Sequence, residues 1–208
     1  PGFFNGSMDE MLSACPLSAI MASMKKKKNI VLRILCAMLF VLLSGIIMLS
    51  IYTLSNEDGF DSSVRSESVT ESLKQEVKDR LENTPEGVAL SERIKGIVIR
   101  FSPYGSDWNA NVRKLAHFSI YFALASMIYI TLAILGCKKL SRIFLTVLAC
   151  GVFAVFDELH QGDVMGRTMS KRDVLIDMLG ACTAIGGLTV ISIVYSLISW
   201  VGKGIFES

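Results

Sequence analysis

The sequence has little net charge, and it lacks the residue patterns of disulfide-rich and metal-binding proteins. Its 208 residues carry a formal net charge of only +2, so the charge balance gives no reason to expect a nucleic-acid partner. None of the five cysteines lies in the long polar segment between residues 55 and 112, and a disulfide framework is therefore not expected. The two histidines do not form a His-x-x-x-His pair, and neither a metal ligand nor a cofactor is predicted.

What the sequence does contain is apolar residues in long runs. Hydrophobic residues make up 51% of the chain, and the mean hydropathy of +0.49 is too high for a soluble domain with an ordinary polar surface. The runs lie at 30–54, at about 115–136, at about 143–160 and at about 174–201, and each is about long enough to cross a bilayer. They predict an all-α integral membrane bundle with about four transmembrane helices.

The positions of the basic residues predict the orientation of these spans. Lys25–Lys28 precede the first run, Lys138, Lys139 and Arg142 lie between the second and third, and Lys203 follows the fourth. Cytoplasmic loops carry an excess of lysine and arginine, so both termini are predicted to be cytoplasmic. Residues 1–29 are predicted to form the N-terminal cytoplasmic segment. Its first 24 residues are not predicted to be a signal peptide, because no basic region precedes their few apolar residues.

Residues 55–112 are predicted to lie outside the cell, with one or two amphipathic helices. This segment holds eleven acidic residues and seven basic ones. A four-residue spacing predicts the first helix, with Ser68 and Glu71 as a capping box and an apolar face of Val69, Leu73, Val77 and Leu81. Its basic residues alternate with acids, as on a solvated helix face, and receive no function: Arg65, Lys74, Lys78 and Arg80.

A second helix is predicted to begin at Thr84-Pro85-Glu86, which supplies an N-cap, a first-turn proline and an acid that suits the helix dipole. Its apolar face ends at Pro103 and consists of Ile94, Ile97, Val98 and Phe101. We expect this face to rest on the bilayer or on the bundle.

Residues 113–208 form the predicted three-helix core, and polar residues concentrate at the outer ends of its helices. The ligand-binding candidates are Arg113, Lys114, His117, Asp157, Glu158, Gln161, Arg167, Arg172, Asp173 and Asp177. Several recur at i, i+4 spacing, which places them along one helix face. An ionisable side chain that faces lipid is costly, so these groups are expected to face the interior of the bundle.

At these residues the chain resembles the VanZ-like family of bacterial membrane proteins, which is associated with glycopeptide (teicoplanin-type) resistance. The resemblance covers roughly residues 30–190, and its carriers are Arg113–Phe118, Asp157–Gln161, Gly166-Arg167 and Asp173–Gly180. The sequence departs from the family at Ile120, where an acidic residue is usual, and at Asp163 and Met165, where an aromatic residue and a proline are usual. The resemblance implies a bacterial cell-membrane location and an envelope function.

Several hypotheses remain open for the polar residues. The preferred one is a site for an anionic envelope lipid or a lipid-linked cell-wall intermediate, since guanidinium groups match phosphate oxygens; a lipoglycopeptide is a further possible ligand. One alternative is a membrane-embedded hydrolase or transferase, with Glu158 or Asp177 as base, His117 as acid–base partner and Arg167 stabilising developing charge. Others are a non-catalytic partner of cell-wall enzymes and an ion-paired network that only fixes helix packing.

Small residues at Gly180, Ala184 and Gly187 predict close packing of the fourth span.

Overall fold

The apolar runs form the longest helices of the protein. The computed structural model describes the backbone of residues 16–81, 83–102 and 104–206, and side chains within residues 30–81, 83–100, 102 and 104–198. Within these ranges the chain forms six helices and no strand: α1 Pro16–Ser55, α2 Gly59–Leu81, α3 Pro85–Phe101, α4 Trp108–Ile134, α5 Lys139–Gly162 and α6 Lys171–Phe206. The predicted all-α fold is confirmed. The first fifteen residues, the side chains of the predicted lysine run at 25–28 and the predicted helix end at Pro103 lie outside the described part.

Four of these helices are long and apolar enough to cross a membrane. They are Ile30–Ser55 of α1, all of α4, all of α5 and Lys171–Ile198 of α6. The shortest, with 24 residues, is about 36 Å long, against a hydrocarbon core of about 30 Å. Large apolar side chains on their outer faces remain exposed, such as Leu42, Val152 and Ile191, which is the surface that lipid stabilises. The predicted four-span bundle is confirmed.

Helix α4 lies at the centre of the bundle. It packs most extensively against α6 and also contacts α1, α5 and α2. Its buried side chains meet those of α5 and α6 in an apolar core whose fully buried members include Tyr121, Leu124, Cys150, Ala154 and Ala181. Gly180 of α6 lies directly against the backbone of α4, because a Cβ at this position would lie 2.2 Å from the Phe118 carbonyl oxygen. Of the predicted small-residue stripe, Ala184 is also buried, whereas a Cβ at Gly187 would meet no atom within 4 Å.

Local capping decides where the helices begin. The predicted N-cap of α3 is confirmed, since the Gly87 N–H donates to the Thr84 hydroxyl at 3.1 Å. Helix α4 begins at Trp108 rather than near Leu115 because the Asp107 carboxylate accepts a hydrogen bond from the Ala110 N–H at 3.0 Å.

The predicted capping box in α2 is wrong. Helix α2 begins at Gly59, so Ser68 lies in its interior, where its hydroxyl donates to the Arg65 carbonyl. The buried positions of α2 are Ser66 and Thr70, while Val69 and Leu73 of the predicted apolar face are exposed. This helix therefore buries small polar side chains where the four-residue spacing predicts apolar ones.

At the end of the bundle that holds the C-terminus of α4, an arginine caps one free carbonyl group. The Arg33 guanidinium of α1 donates to the Ile134 carbonyl from Nη2 at 2.6 Å and from Nε at 3.1 Å. A cation at a helix C-terminus also complements the helix dipole. This contact fixes the relative position of α1 and α4, and thereby helps to align their other ends, where the polar residues lie.

Candidate functional site

The opposite end of the bundle gathers the polar residues, and we call it the polar end. The C-termini of α1 and α5 meet the N-termini of α2, α4 and α6 there. Contacts between side chains of different helices define it: Ser55 with Asp157, and Lys114 with Asp173. The predicted convergence of these helix ends is therefore present in the structure, whereas the side of the membrane on which they lie stays a prediction.

Asp157 of α5 is buried in a hydrogen-bond network with a helix from the start of the chain. The Ser55 hydroxyl donates to Asp157 Oδ1 at 2.5 Å, and the Gln161 amide donates to Asp157 Oδ2 at 2.9 Å and to the Ser55 hydroxyl at 3.2 Å. All three residues are at most 5% exposed. The i, i+4 spacing of Asp157 and Gln161 predicted their shared face, but Ser55 carried no sequence signal beyond ending the first apolar run.

Asp173 of α6 forms the one lysine–carboxylate pair between spans among the described residues. Lys114 Nζ lies 2.5 Å from Asp173 Oδ2, and both side chains are largely buried. The lysine also lies 5.8 Å from the ring centroid of Tyr104. Burial raises the pKa of Tyr104, and the charge of Asp173 raises it further, while Arg172 and Arg113 oppose the shift.

Glu158 holds the start of α6. Its Oε1 accepts a hydrogen bond from the Ser170 N–H at 2.6 Å, one residue before α6 begins. A carboxylate is favourable there because a helix N-terminus carries free N–H groups and the positive end of the dipole. Glu158 is 4% exposed, and its Oε2 has no hydrogen-bond partner among the described residues.

His117 and Asp177 face each other across the α4–α6 contact. His117 Nδ1 lies 3.3 Å from Asp177 Oδ1, but the geometry is not that of a hydrogen bond, and neither Asp177 oxygen has a partner among the described residues. Asp177 is fully buried. Asp157 is near enough that one donor atom from each of these three residues lies within 4.8 Å of the others. Tyr121 is fully buried one turn after His117 on α4, and its hydroxyl has no hydrogen-bond partner among the described residues.

A cavity of about 200 Å³ opens beside His117, between α1, α2, α4 and the loop before α6. Its charged lining residues are Glu57, Arg65, Arg113 and Arg167, and its apolar ones are Ile51, Leu54, Val69, Val112, Ala116 and Ile120. Glu57 forms an ion pair with Arg65. The sequence predicts Arg65 to lie on a solvated helix face without a function, but in the structure it lines the cavity. The remaining two guanidinium groups leave the cavity positive.

The 163–170 loop brings Arg167 to this cavity. Gly166 takes a positive φ of 75°, and the Gly59 N–H donates to the Met165 carbonyl at 3.0 Å. A Cβ at Gly59 would lie 2.2 Å from the Gly166 carbonyl oxygen, so a larger residue would push the loop away. Arg167 Nη2 then donates to the Leu54 carbonyl at 3.1 Å.

The hydrogen-bond donors of Arg167 are only partly used in this position. Its Nε is buried without a partner among the described residues. Burial lowers the pKa of the Arg167 guanidinium, and the nearby positive charge of Arg113 lowers it further, against the effect of Asp157 and other carboxylates. The guanidinium remains charged at neutral pH, so two cations share one cavity wall.

The remaining candidates separate into two groups. Arg113 and His117 line the cavity, whereas Asp157, Glu158, Gln161, Asp173 and Asp177 are buried behind it. Arg172 is exposed and does not line the cavity. Sequence reasoning missed Ser55, Glu57 and Tyr104, because each reaches the polar end only through helix packing.

These features define a multi-pass helical membrane protein with a buried polar cluster and a positively charged cavity at one end. A family model described as VanZ/LLP1 matches residues 38–194, which is well over half of the chain. The protein therefore belongs to the VanZ/LLP1 family, which links it to glycopeptide resistance, and the resemblance found in the sequence is confirmed. No curated protein and no solved structure matches the chain.

Proposed function

We propose that the protein binds the phosphate-bearing headgroup of an anionic envelope lipid or lipid-linked cell-wall intermediate, and that this binding underlies a contribution to teicoplanin-type resistance. The observation that carries the proposal is the cavity wall on which Arg113 and Arg167 lie together, with no carboxylate of the lining paired to either. An anion between two guanidinium groups offsets their repulsion and can accept paired hydrogen bonds from each.

The rest of the cavity suits a lipid. Apolar side chains from α1, α2 and α4 line it beside the arginines, and acyl or prenyl chains bind such surfaces while the charged headgroup binds the cations. We place the site in the outer leaflet, following the orientation that the basic loops predict. A bound cell-wall intermediate or lipid there would alter what a lipoglycopeptide meets at the membrane surface.

The buried carboxylates support a ligand site over a pure packing network. A packing network is expected to pair its charges, because an unpaired buried charge costs several kcal/mol. Among the described residues Asp173 pairs with Lys114, but Asp177 has only the close approach of His117. An incompletely paired network is not what helix packing alone requires, but Asp177 lacks a positive partner, which an anionic headgroup does not supply; the headgroup proposal therefore rests on Arg113 and Arg167.

The test is the lipid content of the purified protein. Mass spectrometry should find an anionic lipid enriched with the wild type and depleted with Arg167→Ala. Arg93→Ala is the matched control, since Arg93 is exposed on α3 and does not line the cavity. Identical lipid profiles for all three proteins would rule out the proposed site.

The contact between His117 and Asp177 favours one second candidate, a hydrolase or transferase that acts on such a lipid. His117 lines the cavity, and its Nδ1 lies 3.3 Å from Asp177 Oδ1. A small rotation would turn this approach into the hydrogen bond by which a carboxylate orients an imidazole that serves as acid or base. Asp177 is too buried to reach a substrate itself, so His117 takes the acid–base role here. Release of a product from an anionic lipid by the wild type, and its loss in His117→Gln, would separate this candidate from simple binding.

A further inference from the structure

We infer that His117, Asp157 and Asp177 bind one divalent cation that accepts mixed imidazole and carboxylate ligands, of the kind represented by Zn²⁺ and Mn²⁺. One donor atom from each residue lies within 4.8 Å of the other two. A tetrahedral ion with ligand bonds of about 2.0–2.2 Å holds its donor atoms roughly 3.4 Å apart. Small side-chain rotations therefore close the three donors around an ion.

The strongest support comes from Asp177. It is fully buried, and neither carboxylate oxygen accepts a hydrogen bond from any described residue. Burying a carboxylate without a partner is costly. His117 Nδ1 points toward the same place, lies 3.3 Å from Asp177 Oδ1 and has no hydrogen bond within the described part of the chain. A cation between these atoms satisfies both groups together.

The charges around the three ligands also favour a cation. Lys114 is engaged by Asp173, and among the described residues Asp157 receives hydrogen bonds only from the neutral groups of Ser55 and Gln161. Arg167 is near enough to interact electrostatically with Asp157, but its Nη2 donates to the Leu54 carbonyl and it forms no ion pair with Asp157 in the described part of the chain. With neutral His117, the three ligands carry two negative charges and no positive one, which a divalent ion balances.

Ser55 and Gln161 would orient the Asp157 carboxylate, as hydrogen-bonded groups behind metal ligands do. Asp157 Oδ1 accepts one hydrogen bond from Ser55, and Asp157 Oδ2 accepts one from Gln161. A carboxylate oxygen can accept a second interaction on its other lone pair, so this network and a metal bond are compatible.

The donor set decides the type of ion. Imidazole suits Zn²⁺ and other transition metals, whereas Mg²⁺ and Ca²⁺ prefer oxygen ligands alone. Three protein ligands leave a coordination position open, and His117 lies at the cavity wall. The cation site does not depend on the proposed lipid site, because its ligands are His117, Asp157 and Asp177, whereas the lipid proposal rests on Arg113 and Arg167.

The test is metal binding to the full-length protein in detergent. After treatment with a chelator and its removal, titration calorimetry with Zn²⁺ or Mn²⁺ should give one saturable equivalent for the wild type. Asp177→Asn and, as a second variant, Asp157→Asn should bind at least tenfold more weakly. Asp163→Asn makes the same chemical change at an exposed position of the polar end and should bind as the wild type does.

Thermal unfolding of the chelated proteins excludes misfolding as the cause. Without metal, Asp177→Asn should melt at or above the wild-type temperature, because the amide removes a buried charge. X-ray absorption of the Zn²⁺ complex should show nitrogen and oxygen ligands and no sulfur. The absence of saturable binding of either ion by the wild type, or equal binding by Asp177→Asn, would overturn the inference. If the wild type binds no metal and Asp177→Asn melts at a lower temperature, Asp177 is instead assigned to an ion pair with His117.

Discussion

Substitution of Gly180 tests the helix contact on which the polar end depends. A Cβ at Gly180 would lie 2.2 Å from the Phe118 carbonyl oxygen, 3.0 Å from its carbonyl carbon and 3.2 Å from its Cα. All three atoms belong to the backbone, so no side-chain rotation can relieve the overlap. Helices α4 and α6 must therefore move apart by about 1 Å, which is the difference from an ordinary van der Waals separation.

The energetic cost follows from two opposing terms. Overpacking of a close contact costs about 1–3 kcal/mol, while alanine in place of glycine favours the helix by up to about 1 kcal/mol. Because the three atoms that the new Cβ meets are backbone atoms, the overpacking cost lies in the upper part of that range, at about 2–3 kcal/mol. Subtracting about 1 kcal/mol for the helix preference of alanine leaves a destabilisation of about 1–2 kcal/mol for Gly180→Ala. At about 2–4 °C per kcal/mol for a chain of this size, the melting temperature in detergent should fall by several degrees.

The same displacement should weaken the site. Phe118 follows His117 on α4, and Gly180 lies about one turn beyond Asp177 on α6, so separating the helices lengthens the 3.3 Å contact between His117 and Asp177. Gly186→Ala is the control, because it lies on the same helix and a Cβ there would meet no atom within 4 Å. The reasoning is refuted if Gly180→Ala melts with the wild type and with Gly186→Ala.

Two further predictions concern the arginine and the topology. Arg167→Lys keeps the charge but loses the planar group, so it should fold as the wild type does and lose most lipid binding or resistance. Arg167→Ala should also melt at a lower temperature, because a charged hydrogen bond to the Leu54 carbonyl is worth about 1.5–3 kcal/mol. A stable and fully active Arg167→Ala would contradict both the site and the packing hypotheses. In a cysteine-free background, membrane-impermeant reagents should label Glu67→Cys and Lys171→Cys in intact cells but not Lys139→Cys, and labelling at position 139 alone would reverse the orientation. Position 67 is chosen within the 55–112 segment because Glu67 is exposed, whereas its neighbour Ser66 is buried.

The sequence alone determined the class of fold, because that property depends on local information. A run of more than twenty apolar residues must satisfy its backbone hydrogen bonds internally in lipid, and a helix does so whatever its neighbours are. The start of α3 at Thr84 was predictable for the same reason, since an N-cap hydroxyl and the amide it accepts from lie within one turn. Membership of the VanZ/LLP1 family was likewise visible in short motifs.

The sequence-based predictions for α2 were wrong where a local sequence signal competed with other contacts of the folded protein. Ser68 and Glu71 have the spacing of a capping box, yet the helix starts earlier at Gly59. The Asp58 carboxylate caps that end by accepting a hydrogen bond from the Asp61 N–H at 2.8 Å, and the hydrogen bond from the Gly59 N–H to the Met165 carbonyl docks it on the 163–170 loop. The apolar spacing of α2 likewise did not predict its buried face, since the folded protein buries Ser66 and Thr70 and leaves Val69 and Leu73 exposed. Tertiary contact outweighs a weak local preference in such segments.

For the site, the i, i+4 spacings determined which residues share a helix face and that buried charges face inward. The arrangement of the faces was decided only by the tertiary structure. Ser55 reaches Asp157 from a position 102 residues away, and His117 meets Asp177 because Gly180 lets two backbones approach more closely than any other residue would. Periodicity gives the direction of a side chain about its own helix, whereas the distance between side chains of two helices depends on the shape of the whole interface, which no single segment encodes.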